Sequence, residues 1–397
     1  MSSPLLHLLG AGPWQLATLR RARALGLRVL VSDGMASRPG FAEADEHALA
    51  DISDAEATLA VSRRHGVDGI LCDTTDTGVV TAAIVADALG LPGPGAEAAR
   101  ACCDKHAMGL RAASAGLPVA PSLLLQGRDP IPRVPSVPGP WVVKPVDNQS
   151  GRGVAVVGDP AGIPDAVQAA RALSRSGRVL VQSRVAGTEC IVDSLVVDGR
   201  VHLLGIASKR PYADNPTIAS HITYGGVAAD DEARLTDANR RLVAAIGLRQ
   251  GLVHAEFLLG TSGPVPIDVA ARGGGVLIYP TVLPHVSGVH AMDAAIDLAL
   301  GRRPVPAPQT RRRGAQVRFL RAAVPGRIRA IRGVEPARAM PGIAAVRINQ
   351  AVGDLTGSLR HKDDRLGFVV ALGDDGADAD RLAAAAAAVI EIETAPD

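Results

Sequence analysis

Glu256 and Asp268 each stand inside a short apolar run, one between Ala255 and Phe257, the other between Ile267 and Val269. A Gly/Pro-rich turn, Gly260 to Pro264, separates the two runs. Two strands joined by a tight turn would set these carboxylates side by side at one end of a sheet. Arg272 and three glycines, Gly273 to Gly275, follow. Paired hard oxygen ligands beside an arginine suit Mg²⁺ that also touches phosphate oxygens. The plain alternative is a surface hairpin with two solvated acids. It is disfavoured because a strand facing a core does not accept a charge without a partner.

Other residues carry what a nucleotide needs. Trp141-Val142-Val143-Lys144-Pro145 reads as a strand that delivers a lysine and stops at proline. Asp147 to Val154 follows, a small turn with Ser150, Gly151 and Gly153. Such a turn exposes backbone N–H groups that cradle phosphate. The lysine precedes the glycines, which disfavours a Walker-type ATPase. Asp104 is placed to cap a helix whose first turn holds Lys105, and Gly116-Leu117-Pro118 ends it. Val179–Val181, Gln182 to Val185, and Gly187-Thr188-Glu189 read as a strand, a short connector and a turn with an acid. Residues 207–226 form a polar, Gly/Pro-rich segment that holds Lys209, Arg210 and His221. For His221 an exposed loop position competes evenly with a site role.

In this order and spacing, along roughly residues 100–300, these pieces resemble the ATP-grasp superfamily of carboxylate–amine ligases, in particular the L-amino-acid ligase and carnosine-synthase-like group. The resemblance rests on Asp104-Lys105, Val143-Lys144-Pro145, the Ser150–Val154 loop, Gly187-Thr188-Glu189, His254-Ala255-Glu256 and Asp268-Val269-Ala270-Ala271-Arg272. It implies ATP as co-substrate with Mg²⁺, or alternatively Mn²⁺, on Glu256 and Asp268. Lys105 and Lys144 would hold the α and β phosphates, and the backbone of Ser150 to Gly153 would close over them. Gln182, Ser183 and Val185 would read the adenine edge, and Glu189 would accept from the ribose hydroxyls. Arg272 and Lys209 are the candidate catalytic cations. Lys209, Arg210, His221 and Gly274 are the candidate substrate contacts. The chain departs from the family pattern at Asp268, where Glu is usual, at Ala270, where Asn is common, and at Gln182, where an acid is frequent.

The elements that position these residues suggest an α/β protein. Residues 1–95 alternate strand and helix: strands at Leu5–Leu9, Arg28–Ser32 and Ile70–Asp73, helices at Leu16–Leu25 and Thr77–Leu89. This predicts a Rossmann-like domain. Its Gly10-Ala11-Gly12 turn lacks the third glycine of a dinucleotide fingerprint, because Gln15 holds that position. A linking helix (96–120), an ATP-grasp lid (121–185), a catalytic half (186–303), a linker and a small C-terminal α/β domain (314–397) complete the expected organisation. The linker's Arg311–Arg313 reads as a solvated charge run.

Composition narrows the function classes. The 397 residues suffice for two or three cores. Aromatic residues are only 2%, too few for base-stacking nucleic-acid surfaces, and a net charge of +2 implies no phosphate-backbone affinity. No run approaches a membrane span, and no basic segment leads into a long apolar one as in a signal peptide. Cys72, Cys102, Cys103 and Cys190 lack zinc-ligand spacing and suit buried positions in a reducing cytoplasm. The expected partners are a small carboxylate and an amine, with no nucleic acid and no membrane; a homodimer is compatible.

Three reactions compete on these residues. The first joins a small carboxylate to an amine as an amide or peptide. The second uses bicarbonate, as biotin carboxylase and aminoimidazole ribonucleotide carboxylase do. The third is a nicotinamide-dependent oxidoreductase built on the Gly10–Gly12 turn with Asp33, which leaves residues 140–275 unexplained. A nucleotide-binding protein without catalysis also fits Asp268 and Ala270.

Overall fold

The computed structural model describes residues 3–132, 135–149, 151–304 and 313–396. Ser150, Arg311 and Arg312 lie outside the described residues. The first unit is a parallel sheet in the order Glu46–Leu49, Arg28–Asp33, Leu5–Leu9, Gly69–Leu71. Its central Leu5–Leu9 strand is apolar on both faces save His7, and all five residues are buried, as a parallel strand covered on both sides must be. Helices Leu16–Ala24 and Ala55–His65 connect these strands, and helix Asp76–Leu89 follows the last of them.

An antiparallel eight-stranded sheet dominates the rest. Its order is Gly263–Ala270, Gly251–Gly260, Thr188–Val197, Arg200–Tyr212, Asn215–Tyr224, Gly314–Leu320, Gly367–Gly373, Ile343–Ile348. The C-terminal segment is thus not confined to a sheet of its own. Gly314–Leu320 pairs directly with Asn215–Tyr224, so this sheet continues into the C-terminal segment. Sequence reasoning missed this because the 207–226 segment looked like a loop. Its prolines and polar residues are accommodated by register shifts on either side of Pro211 in a long hairpin.

One face of this sheet is covered by helix Ala229–Ile246. Its buried residues Leu235, Ala238, Asn239, Leu242, Val243 and Ile246 fall on one helical stripe. On the other face Tyr279, Val282 and helix Ala291–Ala299 fill the space between the sheet and the N-terminal unit, in one apolar cluster with Leu6, Leu8, Ile191 and Leu195. A smaller antiparallel sheet, Ser122–Leu125, Val179–Ser183, Trp141–Pro145, Ala155–Val157, carries helix Ile163–Leu173 and forms the lid over the sheet's edge. Among the described residues no helix is long and apolar enough to cross a membrane.

Candidate active site

The Gly251–Gly260 and Gly263–Ala270 strands form the expected hairpin, closed over Thr261-Ser262, and Glu256 is the direct cross-strand partner of Asp268. Residues directly opposite on one face of an antiparallel pair sit about 5 Å apart at Cβ, which brings the two carboxylates together. The register shifts next to this pair, so that Ile267 is extra on its strand. The extra residue of a bulge is left out of the ladder. Its carbonyl instead accepts the Lys144 ammonium at 3.3 Å. A local irregularity therefore ties the lid's lysine to the carboxylate hairpin.

Lys105 arrives from another element. Asp104 caps helix Lys105–Ser114, accepting from the backbone N–H of His106 and Ala107 at 2.9 Å. That capping fixes Lys105 in the first turn, where its ammonium reaches Asp268 at 3.1 Å and the Asn148 carbonyl at 2.8 Å. Lys209 lies 2.5 Å from both Glu189 and Glu256. Glu189 opens a long strand rather than sitting in a turn, and it holds Lys209.

The electrostatics follow from burial and pairing. Burial and the neighbouring Lys105 push the Lys144 pKa down to about 8. Burial opposes the charge of Lys209 too, but Glu189 and Glu256 outweigh it and hold its pKa above the ordinary lysine value. Burial would raise the Glu256 carboxyl; Lys209 and His254 overcome this and keep it well below the usual carboxylate range. His254 bonds Asp193 at 2.7 Å, and that carboxylate outweighs burial to lift the imidazole to about 9.

Two cavities meet at this cluster. One, of about 730 Å³, lies between the lid and the sheet. Lys105, Lys144, Gly151, Gln182 to Val185 and Glu189 line it. The other, of about 820 Å³, lies between the Gly10–Gly12 turn, the sheet and the C-terminal strands. Lys209, Glu256, Asp268 and Lys362 line both. Each volume falls in the range of small-molecule sites.

Arg272 and Gly274 border the second cavity. Arg272 donates to Asp76 at 2.5 Å and to the Gly273 carbonyl at 2.9 Å, so a residue of the N-terminal unit orients its fork. Beside it, Val276 and Leu277 hold φ of 47° and 63°, conformations that cost a branched or bulky side chain and recur at functional sites. Arg210 lines the first cavity only. Gly153 lies in the flap turn at φ 75°.

His221 is a correction. It lines neither cavity, and it faces Arg318 and Asp380 of the C-terminal segment, with its Nδ1 3.0 Å from the Ser220 hydroxyl. Strand alternation sends it to the opposite face from its neighbours Ile222 and, across the bulge, Ala219. The polar composition of the segment hid that alternation.

The Gly10–Gly12 turn is also filled from within. The Gln15 side chain lies 3.1 Å from where a Cβ on either Gly10 or Gly12 would stand, and its amide donates to Thr74 at 2.6 Å. Asp33 accepts from the backbone of Ala11 and Met35 at 3.0 Å. Both groups that a dinucleotide would need are engaged by the turn itself.

Glu256 and Asp268 fit Mg²⁺ on chemical grounds. They are hard oxygen donors set side by side, and this ion typically takes one or two carboxylates, waters and substrate phosphates rather than a closed protein cage. Among the described residues no cluster of three acidic, histidine or cysteine ligands forms.

Two family descriptions match the chain: "ATP-grasp domain" over residues 137–280 and "L-amino acid ligase C-terminal domain 2" over residues 318–395. The chain belongs to the ATP-grasp superfamily of carboxylate–amine ligases. It is an enzyme of the ADP-forming carbon–nitrogen ligase class. It is 28% identical over 366 residues to the uncharacterized protein y4rH of Sinorhizobium fredii, covering 89% of this chain and 75% of that one. Human carnosine synthase 1 is 29% identical over 137 residues, 34% of this chain but only 16% of that protein. In fold, the chain matches an L-amino acid ligase from Bacillus licheniformis over all of both chains, with a TM-score of 0.82 at 19% identity. It matches N5-carboxyaminoimidazole ribonucleotide synthetase from Thermotoga maritima at a TM-score of 0.71 and 15% identity, covering 99% of this chain and all of that one. At such identities the likeness speaks for the fold alone.

The residues that sequence reasoning missed come from the C-terminal segment. Arg347, Lys362 and Arg365 line the second cavity, and Lys362 the first as well. The charged run Arg360 to Arg365 was a visible signal, but nothing in its spacing tied it to the carboxylate hairpin.

Proposed function

We propose that this enzyme activates a small carboxylate, an amino acid or a similar acid, as an acyl phosphate and joins it to an amine, releasing ADP and phosphate. One observation carries the reading. Lys209, Glu256, Asp268 and Lys362 line both cavities at once, so a nucleotide under the lid and a substrate beside the Gly10–Gly12 turn would meet at one cluster. The L-amino acid ligase and carnosine synthase relatives support the same chemistry.

The residues divide the work. The first cavity takes ATP, with adenine toward Gln182 to Val185 and the phosphates toward Lys105 and Lys144. Glu256 and Asp268 would hold Mg²⁺, which supplies charge neutralisation on the phosphates. The substrate carboxylate oxygen attacks the γ-phosphorus, and the bond to the ADP oxygen breaks. Arg272 is set to clamp the transferred group with its fork, a geometry Lys does not offer. The amine then attacks the acyl carbon, and the carbon–oxygen bond to phosphate breaks. Gly151, Arg152 and Gly153 close the flap and keep water from the acyl phosphate. The four free cysteines suit a reducing cytoplasm.

A phosphate-release screen over pairs of amino acids, with bicarbonate as a control, tests this. Release that needs both a carboxylate and an amine supports ligation. Release stimulated by bicarbonate alone would replace it with carboxylation.

A further inference from the structure

Seven lysine and arginine side chains border the second cavity, and they separate into two groups by their partners. Four are neutralised. Arg38 lies 3.5 Å from Asp33, Arg152 3.1 Å from Asp363, Lys209 2.5 Å from Glu189 and Glu256, and Arg272 2.5 Å from Asp76. The other three, Arg347, Lys362 and Arg365, have no carboxylate within ion-pair distance among the described residues. All three come from the C-terminal segment.

Arg365 shows the imbalance most sharply. It is 7% exposed, and among the described residues its Nε is buried without a hydrogen-bond partner and its one side-chain hydrogen bond goes to the neutral Ala219 carbonyl at 2.7 Å. Its guanidinium stacks on Phe319 at 3.5 Å. Arg347 stacks at 4.2 Å on Trp14, which belongs to the Gly-rich turn region of the N-terminal unit. Trp14 and Phe319 also line the cavity. A cation held in a partly apolar cavity without an acid is costly unless a ligand supplies the anion. Aromatic stacking orients a guanidinium while leaving its N–H edge free to bond.

Lys362 borders the nucleotide cavity too and faces Glu256 and Glu189 electrostatically. Its charge is accounted for by the transferred phosphoryl group. Arg347 and Arg365 border only the substrate cavity. Neither reacting group answers them, because the carboxylate is consumed at the phosphoryl junction and the attacking amine must be neutral. Two positive charges therefore remain for groups that do not react.

We propose that the amine substrate carries two acidic groups, carboxylate or phosphate, bound by Arg347 and Arg365, so that the enzyme selects acidic or phosphorylated amino acids over neutral ones. This rests on the carboxylate–amine ligase reading for what the cavity accepts. The selection is a positioning effect on the acceptor and leaves acyl phosphate formation unaltered.

Isosteric pairs test it. L-Glutamate against L-glutamine, and O-phospho-L-serine against L-serine, would be titrated by calorimetry into the full chain saturated with Mg²⁺ and a non-hydrolysable ATP analogue. The charged member of at least one pair should bind on the order of 10-fold more tightly, the scale of one charge-assisted contact. Which pair shows the preference names carboxylate or phosphate. Arg347→Gln, at a half-buried position, should bring that ratio toward one with melting temperature unchanged, and Arg365→Lys should retain part of it. Equal or tighter binding of both neutral members overturns the proposal, as does an undiminished preference in Arg347→Gln. Steady-state turnover with the same compounds separates the two readings. Charge-selective binding without turnover for any carboxylate would leave the acid-binding role of Arg347 and Arg365 standing and remove the ligase reading. Turnover without charge selection would do the reverse.

Discussion

At the scale of single residues, the site is a set of buried cations and anions whose roles differ by what they touch. Glu256→Ala removes one of the two carboxylates proposed to hold Mg²⁺ and releases Lys209 from half its pairing. Phosphate release should fall to background in a folded variant, as measured by single-turnover kinetics beside circular dichroism. Arg272→Lys keeps the charge and loses the bidentate fork. ATP affinity should survive on Lys105 and Lys144, while turnover drops on the order of 10²-fold, as for loss of one preorganised donor. Lys144 gives a pH signature. Its pKa of about 8, set by burial and Lys105, means the ammonium loses its proton as pH rises through 8, well before an exposed lysine would. A neutral amine cannot hold phosphate as a charge. Nucleotide affinity should therefore be full below pH 8 and weaken above it, with proton uptake on binding near the midpoint. Lys144→Arg should flatten that dependence in calorimetry.

Elements explain why some of this was legible in the sequence and some was not. Glu256 and Asp268 announced themselves because an acid inside an apolar run has few structural excuses, and the hairpin pairs them directly. The same logic failed for 207–226, where prolines and polar residues masked two strands, so nothing in the sequence showed which face His221 takes. The bulge that leaves the Ile267 carbonyl for Lys144 carries no sequence signal of its own. Helix Lys105–Ser114 was readable from its cap, and its energetics can be tested there. Asp104 caps the helix and also pairs with Arg178 of the lid. Asp104→Ala should cost about 1 kcal/mol or somewhat more in stability. It should also weaken nucleotide binding by misplacing Lys105, whereas Asp104→Asn, which can still cap, should keep most of the stability in a denaturant titration.

On the scale of the whole molecule, the eight-stranded sheet is what joins the nucleotide half to the C-terminal segment. Sequence order placed Arg347, Lys362 and Arg365 in a separate closing domain; the pairing of Gly314–Leu320 with Asn215–Tyr224 puts them on the site. The flap meets the same segment through Arg152 and Asp363, both substantially exposed. An exposed pair contributes about 0–1 kcal/mol. Asp363→Asn should leave the melting temperature nearly unchanged. The shared wall of the two cavities makes its own demand, that the phosphoryl group pass directly from nucleotide to substrate. Oxygen-18 in the carboxylate of a substrate pair that supports turnover tests this most directly. Mass spectrometry of the released phosphate should find one labelled oxygen per turnover. Unlabelled phosphate from complete turnover would contradict an acyl phosphate formed where Lys209, Glu256 and Asp268 face both cavities.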